Sequence, residues 1–137
     1  MAYWLVKSEP ETWSWDQHVG NGADAWTGVR NHQAKIHLNT MKAGDGVLFY
    51  HSGDAKAGVG VSEVVREAYP DPTDKDAKFV AVDLKAVGPL RRPVTLTEIK
   101  ADPALADMVL VKNSRLSVQP VTADEWALVR KMGGMGN

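Results

Sequence analysis

The chain of 137 residues contains no cysteine. Disulfide bonds, zinc sites with thiolate ligands and thiol nucleophiles are therefore excluded. Long hydrophobic runs are missing as well, since none approaches the roughly 20 residues that cross a bilayer. The first residues also lack the charged and apolar regions of a secretion signal. We expect a cytoplasmic protein with no membrane partner.

An excess of positive charge is also missing, because 16 Lys and Arg stand against 17 Asp and Glu, for a formal net charge of -1. This balance argues against a non-specific, histone-like binder of nucleic acid, but it leaves room for a basic patch beside a specific pocket. The length suits one domain with a real core, and the sequence shows no repeat or linker. We expect a monomer with a single domain over 1–137 and a mobile tail at 133–137.

Short apolar or alternating segments predict strands, and Ser, Thr, Asn and Asp caps predict short helices. The predicted strands are 3–7, 47–50, 58–67, 79–87, 109–111 and 117–121, and the predicted helices follow capping boxes at Ser14, Thr95 and Thr122 and caps at Asn31 and Asp102. The continuous apolar run 47–50 predicts a strand buried on both faces, and the glycines at 58 and 60 suggest a bulge or a close backbone approach. Trp13 and Trp15, beside the first cap, are interpreted as structural. The helices are too short and irregular for the crossovers of a parallel doubly wound sheet. The predicted fold class is therefore α+β, a mixed or largely antiparallel sheet of five to six strands curled into a small barrel and flanked by short helices.

Segment 25–31, Ala-Trp-Thr-Gly-Val-Arg-Asn, places an aromatic ring and a guanidinium in a predicted turn. Gly28 permits a positive φ, and Asn31 is a strong N-cap for the helix that follows. Trp26 is thus expected just before a helix N-terminus, where an aromatic face, free N–H donors and Arg30 suit a planar ligand that carries a phosphate. The alternative is that Trp26 fills the core, and the local sequence alone slightly favours that alternative.

Motifs for catalysis or metal binding are weak. The pattern Gly-Val-Gly-Val-Ser-Glu at 58–63 begins like a dinucleotide fingerprint but lacks its third glycine. His32 and His37 do not share a helical face, and the adjacent His51 and Ser52 are expected to point in opposite directions. We expect no metal, no cofactor and no catalytic residue.

The predicted loops concentrate aromatic, basic and small polar side chains, a combination that favours nucleic-acid binding. Aromatic faces stack on bases, while basic groups hold phosphates. The candidate phosphate contacts are Lys7, Arg30, Lys35, Lys112 and Arg115.

Four ordered segments, 3–10, 26–31, 44–52 and 113–121, resemble the EVE domain. The family includes the thymocyte nuclear proteins and many small bacterial proteins, and this chain resembles a bacterial stand-alone member. The resemblance implies a PUA-like pseudobarrel, related to the YTH readers of methylated RNA, with a pocket for a flipped modified base. EVE domains are associated with modified cytosines in DNA.

The resemblance also implies the residues of that pocket. Trp26 would be the aromatic wall on which the base stacks, and Tyr50 and Tyr69 are candidates for the opposite wall. The full set of expected pocket residues is Trp26, Ser8, Asn31, His51, Ser52 and Tyr50.

The resulting hypothesis is a non-enzymatic module that binds DNA carrying methylated or hydroxymethylated cytosine, with RNA as an alternative partner. A second hypothesis is a small hydrolase of modified nucleosides, because PUA-like relatives of the ASCH type resemble hydrolases. In that case Lys7 would activate a nucleophile and Glu9 would be the base. A third hypothesis is a protein-interaction module that binds no nucleic acid.

Overall fold

The computed structural model describes residues 1–135 and consists of a six-stranded sheet with short helices on both faces. The strands are β1 (Tyr3–Ser8), β2 (Ala23–Trp26), β3 (Gly46–His51), β4 (Ala57–Pro70), β5 (Val80–Thr95) and β6 (Val118–Val121). The helices are α1 (Trp15–Asn21), α2 (His32–Thr40), α3 (Leu96–Ala101), α4 (Val109–Lys112) and α5 (Ala123–Met132), with a 3₁₀ turn at Pro103–Leu105. No helix in this part of the chain is long and apolar enough to cross a membrane.

The strands follow the order β2-β5-β4-β3-β1-β6 across the sheet. Strands β1 and β3 pair in parallel, and the other neighbours are antiparallel. The α+β class and the mixed sheet expected from the sequence are confirmed. Strand β1 lies between β3 and β6 and is therefore an interior strand of the sheet. The polar residues that follow Ser8 continue from the end of this interior strand.

Two apolar cores lie on opposite faces of the sheet. Trp4 and Val6 point into the core that α1 and α2 cover, whereas Leu5 points into the core that α3, α4 and α5 cover. Strand β3 lies between β1 and β4 and is buried on both faces, which explains its continuous apolar run. The prediction of a doubly buried strand at 47–50 is confirmed.

Helix caps were the most reliable local signals. Ser14, Thr95 and Thr122 each form the predicted capping box, in which the hydroxyl accepts from the third backbone N–H of the helix. Asn31 caps α2 by accepting from Ala34 N at 2.9 Å, and Asp102 caps the 3₁₀ turn. The structure confirms these caps. They could be predicted because each depends on residues that are close in sequence.

The strand predicted at 109–111 is wrong, since Val109–Lys112 is the short helix α4. Met108 and Leu110 are buried in the second core, and the helical turn satisfies the backbone there through bonds such as Asn113 N to Val109 O at 2.7 Å. A short apolar run does not by itself distinguish a buried strand from a buried helical turn.

Strand β2 was not predicted, and Trp26 is its last residue rather than a turn residue. The segment Ala-Asp-Ala-Trp has few strand-forming residues, and it is extended because it pairs antiparallel with β5, with Trp26 opposite Val82. The turn expected around Trp26 begins at the next residue, and Gly28 has the expected positive φ, +84°.

The glycines of β4 mark the predicted irregularity. The register of β4 against β5 shifts between Gly58 and Gly60, and a Cβ on Gly60 would lie 2.5 Å from the Trp15 ring. The expected bulge and close backbone approach are both confirmed.

The tail predicted at 133–137 is only partly within the described residues, since 136–137 lie outside them. Within them, Gly133 N donates to Val129 O at 3.0 Å and Met135 N donates to Arg130 O at 2.9 Å. These bonds extend the end of α5 by one turn, and the mobility of the tail stays a prediction.

Candidate functional site

A cavity of about 560 Å³ opens where the end of β1, the segment before α1 and the loop from β2 to α2 meet. Its size falls within the range of about 300–1,000 Å³ that is typical of small-ligand sites. Its walls combine indole rings, hydroxyl groups and three charged side chains. The lining residues are Lys7, Ser8, Glu9, Thr12, Trp13, Ala25, Trp26, Thr27, Gly28, Val29, Arg30 and Ser117.

Two tryptophans contribute to this lining. Trp26 is only 9% exposed and packs edge-to-face on Phe49, with ring centroids 5.6 Å apart. Trp26 is therefore a core residue that also lines the cavity, and its role as a platform for a ligand stays a prediction. Trp13 is half-buried and supplies the second indole.

Trp13 was missed as a site residue by reasoning from the sequence. Its place beside the cap Ser14 suggested a structural role, which Trp15 does have, since Trp15 is buried against Phe49. The available signal was that Trp13 occupies a turn between Pro10 and a helix cap, an aromatic in a loop like the one expected for Trp26.

Ser8 attaches the Trp13 segment to the sheet. The Ser8 hydroxyl, on a buried residue, donates to the Trp13 carbonyl. The Ser8 carbonyl accepts from Ser52 N at 2.9 Å, and the Glu9 carbonyl accepts from Trp13 N at 2.8 Å. These bonds fix the backbone of the wall to β1, so Ser8 both lines the cavity and positions Trp13.

The loop from β2 to α2 is held by a buried carboxylate, Asp71, which follows β4. Asp71 accepts from Gly28 N at 2.8 Å and from Arg30 Nη1 at 3.0 Å, and it accepts twice from Thr73. Burial alone would raise the pKa of Asp71, but the hydrogen bonds from Thr73, Gly28 and Arg30 outweigh it and lower the pKa to about 2. Asp71 therefore stays ionised and anchors the loop that carries Trp26.

Arg30, a candidate phosphate contact, is engaged in this anchor. Its Nη1 donates to Asp71 and its Nη2 donates to Thr73 Oγ1 at 3.0 Å. The Arg30 side chain is 40% exposed, and its guanidinium carbon lies 5.5 Å from the centre of the Phe79 ring. Arg30 lines the cavity, but much of its donor capacity is directed at the protein.

Lys7 connects the cavity to the loop after α4. Its ammonium donates to the Ser114 carbonyl and lies 5.7 Å from the centre of the Tyr50 ring. Burial lowers the pKa of Lys7. The buried Gln119, which sequence reasoning did not single out, supports the same loop by donating to Leu116 O at 2.7 Å.

Several expected pocket residues do not line the cavity within residues 1–135. The Asn31 side chain is used to cap α2. His51 Nε2 accepts from Trp15 N at 3.0 Å, and burial lowers the pKa of His51. Ser52 contacts Ser8 through its backbone, and Tyr50 is buried in the second core. These residues support the elements that carry the walls.

Tyr69, the other candidate for the opposite wall, lies on β4 away from the lining. Its hydroxyl donates to Asp83, and its ring lies under Arg66, 3.8 Å from the guanidinium carbon. Burial and the nearby Asp83 raise the pKa of Tyr69 to about 12. Trp13, rather than Tyr50 or Tyr69, is the second aromatic residue among those that line the cavity.

The remaining candidate phosphate contacts, Lys35, Lys112 and Arg115, do not line the cavity. Lys35 Nζ lies 5.8 Å from the Phe79 ring, beside Arg30. Lys112 forms an exposed ion pair with Asp107 at 3.0 Å, and Arg115 is exposed in the loop that Lys7 contacts. The structure thus brings together Lys7, Ser8, Trp26 and Arg30, while Lys35 shares the Phe79 ring with Arg30 and Arg115 follows the Ser114 that Lys7 contacts.

A buried polar group joins His18 to Asp24 and Ser62, for which no sequence motif was apparent. His18 Nδ1 donates to Asp24 at 2.8 Å, and His18 Nε2 lies 2.8 Å from Ser62 Oγ. The order Ser, His, Asp resembles a hydrolase triad, but His18 and Ser62 are fully buried and no substrate reaches them. The His18 ring stacks on Phe49, which in turn supports Trp26, so the group is structural.

Comparison with known proteins agrees with this fold. The EVE domain model matches residues 2–132. Rpa0253 from Rhodopseudomonas palustris is 63% identical, with a TM-score of 0.94 over 98% of this chain and 94% of that one. A YTH domain of Zygosaccharomyces rouxii, 19% identical with a TM-score of 0.61 over 96% of this chain and 86% of that one, shares the fold.

Human thymocyte nuclear protein 1 is 32% identical over 93% of this chain and 72% of its own length. Its crystal structure in complex with DNA containing 5-methylcytosine superposes with a TM-score of 0.89, covering 97% of this chain and 98% of that chain. The family model thus spans nearly the whole sequence, and the human relative is 32% identical. The chain belongs to the EVE domain family.

Proposed function

We propose that this protein is a non-enzymatic reader of a modified base in nucleic acid, with methylated or hydroxymethylated cytosine in DNA as the preferred ligand. The observation that carries the proposal is that Trp13 and Trp26 line one cavity of base-binding size. The complex of human thymocyte nuclear protein 1 with DNA containing 5-methylcytosine supports this choice of ligand.

The energetics favour a base that leaves its helix. Extruding a base costs a few kcal/mol, and stacking on an aromatic side chain returns about 1–3 kcal/mol per base. The hydroxyl groups of Ser8, Thr12, Thr27 and Ser117 and the charged groups of the lining are available to the polar edge of the base. An unpaired base spares the cost of extrusion, so single strands are expected to bind more tightly than duplexes.

Discrimination for the methyl group itself is expected to be modest. Burying one methyl carbon contributes about 0.8 kcal/mol, or about a fourfold difference in affinity between cytosine and 5-methylcytosine. Contacts to the phosphate backbone add little, because the net charge is near zero and Arg30 is bonded to Asp71. Such a module suits a reader that another protein or domain brings to its target.

The experiment is fluorescence anisotropy with labelled DNA and RNA, single-stranded and duplex, each with one cytosine, 5-methylcytosine, 5-hydroxymethylcytosine, adenine or N6-methyladenine, at two salt concentrations. A preference for one modified base that persists at the higher salt is the expected result. Binding that is equal for all oligonucleotides, or that is lost at the higher salt concentration, contradicts the proposal. A preference for a modified base that is seen only in RNA means that RNA, and not DNA, is the partner.

The informative variant is Trp13→Ala. Trp26 is also part of the core, and a Trp→Ala change there is expected to cost about 3–5 kcal/mol of stability. Trp13 is half-buried, so its removal should weaken base binding with a smaller cost to the fold. Trp126→Phe is the control, because Trp126 stacks on Tyr3 in the core on the other face of the sheet.

The hydrolase alternative has one supporting observation, since Lys7 and Glu9 line the same cavity and burial lowers the pKa of Lys7. Incubation of the protein with modified cytidine and adenosine nucleosides, followed by chromatography, tests it. Product formation that Lys7→Met and Glu9→Gln both abolish would establish an enzyme in place of the reader.

A further inference from the structure

A reader of 5-methylcytosine in DNA faces a specific competitor, because thymine carries a methyl group at the same ring position and occurs throughout DNA. Stacking on Trp13 and Trp26 does not separate the two bases, since every base has an aromatic face. A niche for the methyl group does not separate them either. They differ at the Watson–Crick edge, where cytosine has an amino donor and thymine has a carbonyl acceptor.

The hydroxyl groups of the lining do not solve this problem. A serine or threonine hydroxyl both donates and accepts, so it contacts either an amino group or a carbonyl. The two cations of the lining only donate, and both are engaged: Lys7 with the Ser114 carbonyl and Arg30 with Asp71. A side chain that favours an amino group over a carbonyl has to accept without donating, as a carboxylate does.

Glu9 is the one acidic side chain among the cavity-lining residues of the described chain. Its carbonyl accepts from Thr12 N at 3.0 Å and from Trp13 N at 2.8 Å, so its backbone is fixed beside one indole wall. Its side chain is exposed, and no donor within residues 1–135 is hydrogen-bonded to its carboxylate. The Glu9 carboxylate is therefore free to accept a hydrogen bond from a ligand.

We propose that Glu9 is the residue that selects an amino base and excludes thymine and uracil. This inference rests on the proposed function and assigns the specificity of the same cavity. An ionised carboxylate accepts from the N4 amino group of cytosine and repels the O4 carbonyl of thymine. The repulsion matters as much as the attraction, because specificity is a difference between two affinities.

The test compares the binding of single-stranded DNA by the wild type and by Glu9→Gln. The two oligonucleotides carry 5-methylcytosine or thymine at one central position, with abasic sites on both sides, and are otherwise identical. Glutamine keeps the size of the side chain but presents an NH₂ donor to the thymine carbonyl. The preference is measured as the dissociation constant for the thymine oligonucleotide divided by that for the 5-methylcytosine oligonucleotide. This ratio should fall at least about fivefold in Glu9→Gln, which is the low end of the effect of one good base-edge contact. Affinity for the thymine oligonucleotide should rise rather than fall.

Glu11→Gln is the matched control, because Glu11 is exposed two residues further along and does not line the cavity. It should keep the wild-type ratio, and both variants should keep the wild-type Tm. A wild type that prefers 5-methylcytosine to thymine, with an unchanged preference in Glu9→Gln, overturns this inference and leaves the proposed function standing. A wild type that shows no preference for any modified base overturns both.

Discussion

Ser8 and Trp13 are joined by a hydrogen bond from the Ser8 hydroxyl to the Trp13 carbonyl, and this bond attaches one wall of the cavity to the central sheet. Trp13 belongs to no strand or helix, so its position depends on such backbone contacts. The bond therefore links the stability of the end of β1 to the geometry of the proposed base site.

Replacing Ser8 with alanine should weaken base binding more than it weakens the fold. The variant leaves the Trp13 carbonyl without its partner, at a cost of about 1 kcal/mol in the free energy of unfolding. Urea denaturation measures that cost, and anisotropy with a 5-methylcytosine oligonucleotide measures the affinity. Ser114→Ala is the control, since Ser114 is exposed and contacts Lys7 through its carbonyl. Unchanged affinity in a destabilised Ser8→Ala protein would show that Trp13 does not depend on this bond.

Asp71→Asn should destabilise the protein in a pH-dependent way. The pKa of Asp71 is lowered from 3.8 to about 2, so its carboxylate contributes stability that is fully present above about pH 4. That contribution, about 2 kcal/mol, is lost as the pH falls toward 2, because the wild-type carboxylate then becomes protonated.

The measurement is urea denaturation of wild type and Asp71→Asn at pH 7 and at pH 3. The difference in unfolding free energy should be smaller at pH 3. Asp76→Asn serves as the control, because Asp76 is exposed and no donor within residues 1–135 is hydrogen-bonded to its side chain. A difference that is the same at both pH values would contradict the role assigned to the ionised Asp71.

Gly60→Ala should be strongly destabilising, whereas Gly20→Ala should not be. A Cβ on Gly60 would lie 2.5 Å from three carbons of the buried Trp15 ring, and overpacking of this kind costs about 1–3 kcal/mol. Gly20 lies in α1, and a Cβ added there would have no other atom within 4 Å, so alanine should add about 0.5–1 kcal/mol of helix stability. Thermal denaturation gives the Tm of both variants. An unchanged Tm in Gly60→Ala would mean that the Trp15 ring moves away at little cost.

Arg115→Ala should reduce the salt dependence of binding to single-stranded DNA. Each phosphate contact contributes about 0.7 to the slope of log affinity against log salt concentration on a single strand. Arg115 is exposed in the loop that Lys7 holds beside the cavity, so its loss should lower the slope by about that amount and leave the base preference unchanged. Lys100→Ala, on α3 away from the cavity, should leave the slope as it is. Equal slopes for wild type and Arg115→Ala would remove Arg115 from the phosphate contacts.

Much of the fold could be predicted from the sequence because its signals are local. The capping boxes at Ser14, Thr95 and Thr122 depend on residues three apart, and the positive φ of Gly28 follows from its missing side chain. The apolar run of β3 predicted a strand buried on both faces, since only such a strand has no polar side. The same logic failed at Val109–Lys112, where a short apolar run is compatible with a helix as well as a strand.

The site was predictable in part. Local sequence identified the β2–α2 loop and the end of β1, and the resemblance to the EVE domain assigned Trp26 and Ser8 to one base pocket. Both residues line one cavity in the structure, and their part in base binding stays a prediction. His51 and Asn31 come from equally recognisable motifs, yet their side chains bond to Trp15 N and Ala34 N. A motif records that a residue is needed and does not say whether it contacts a ligand or supports the backbone beside it.

The sequence by itself determined the class of the fold, the helix caps and the family, because these depend on spacing and on the preferences of single residues. The tertiary structure alone decided that Trp13 and Trp26 share a cavity, that Asp71 holds the loop between β2 and α2, and that no donor within residues 1–135 is hydrogen-bonded to the Glu9 carboxylate. The physical reason is that Trp13, Trp26 and Asp71 are brought together by sheet order and loop packing. Their separation along the chain carries no information about that distance.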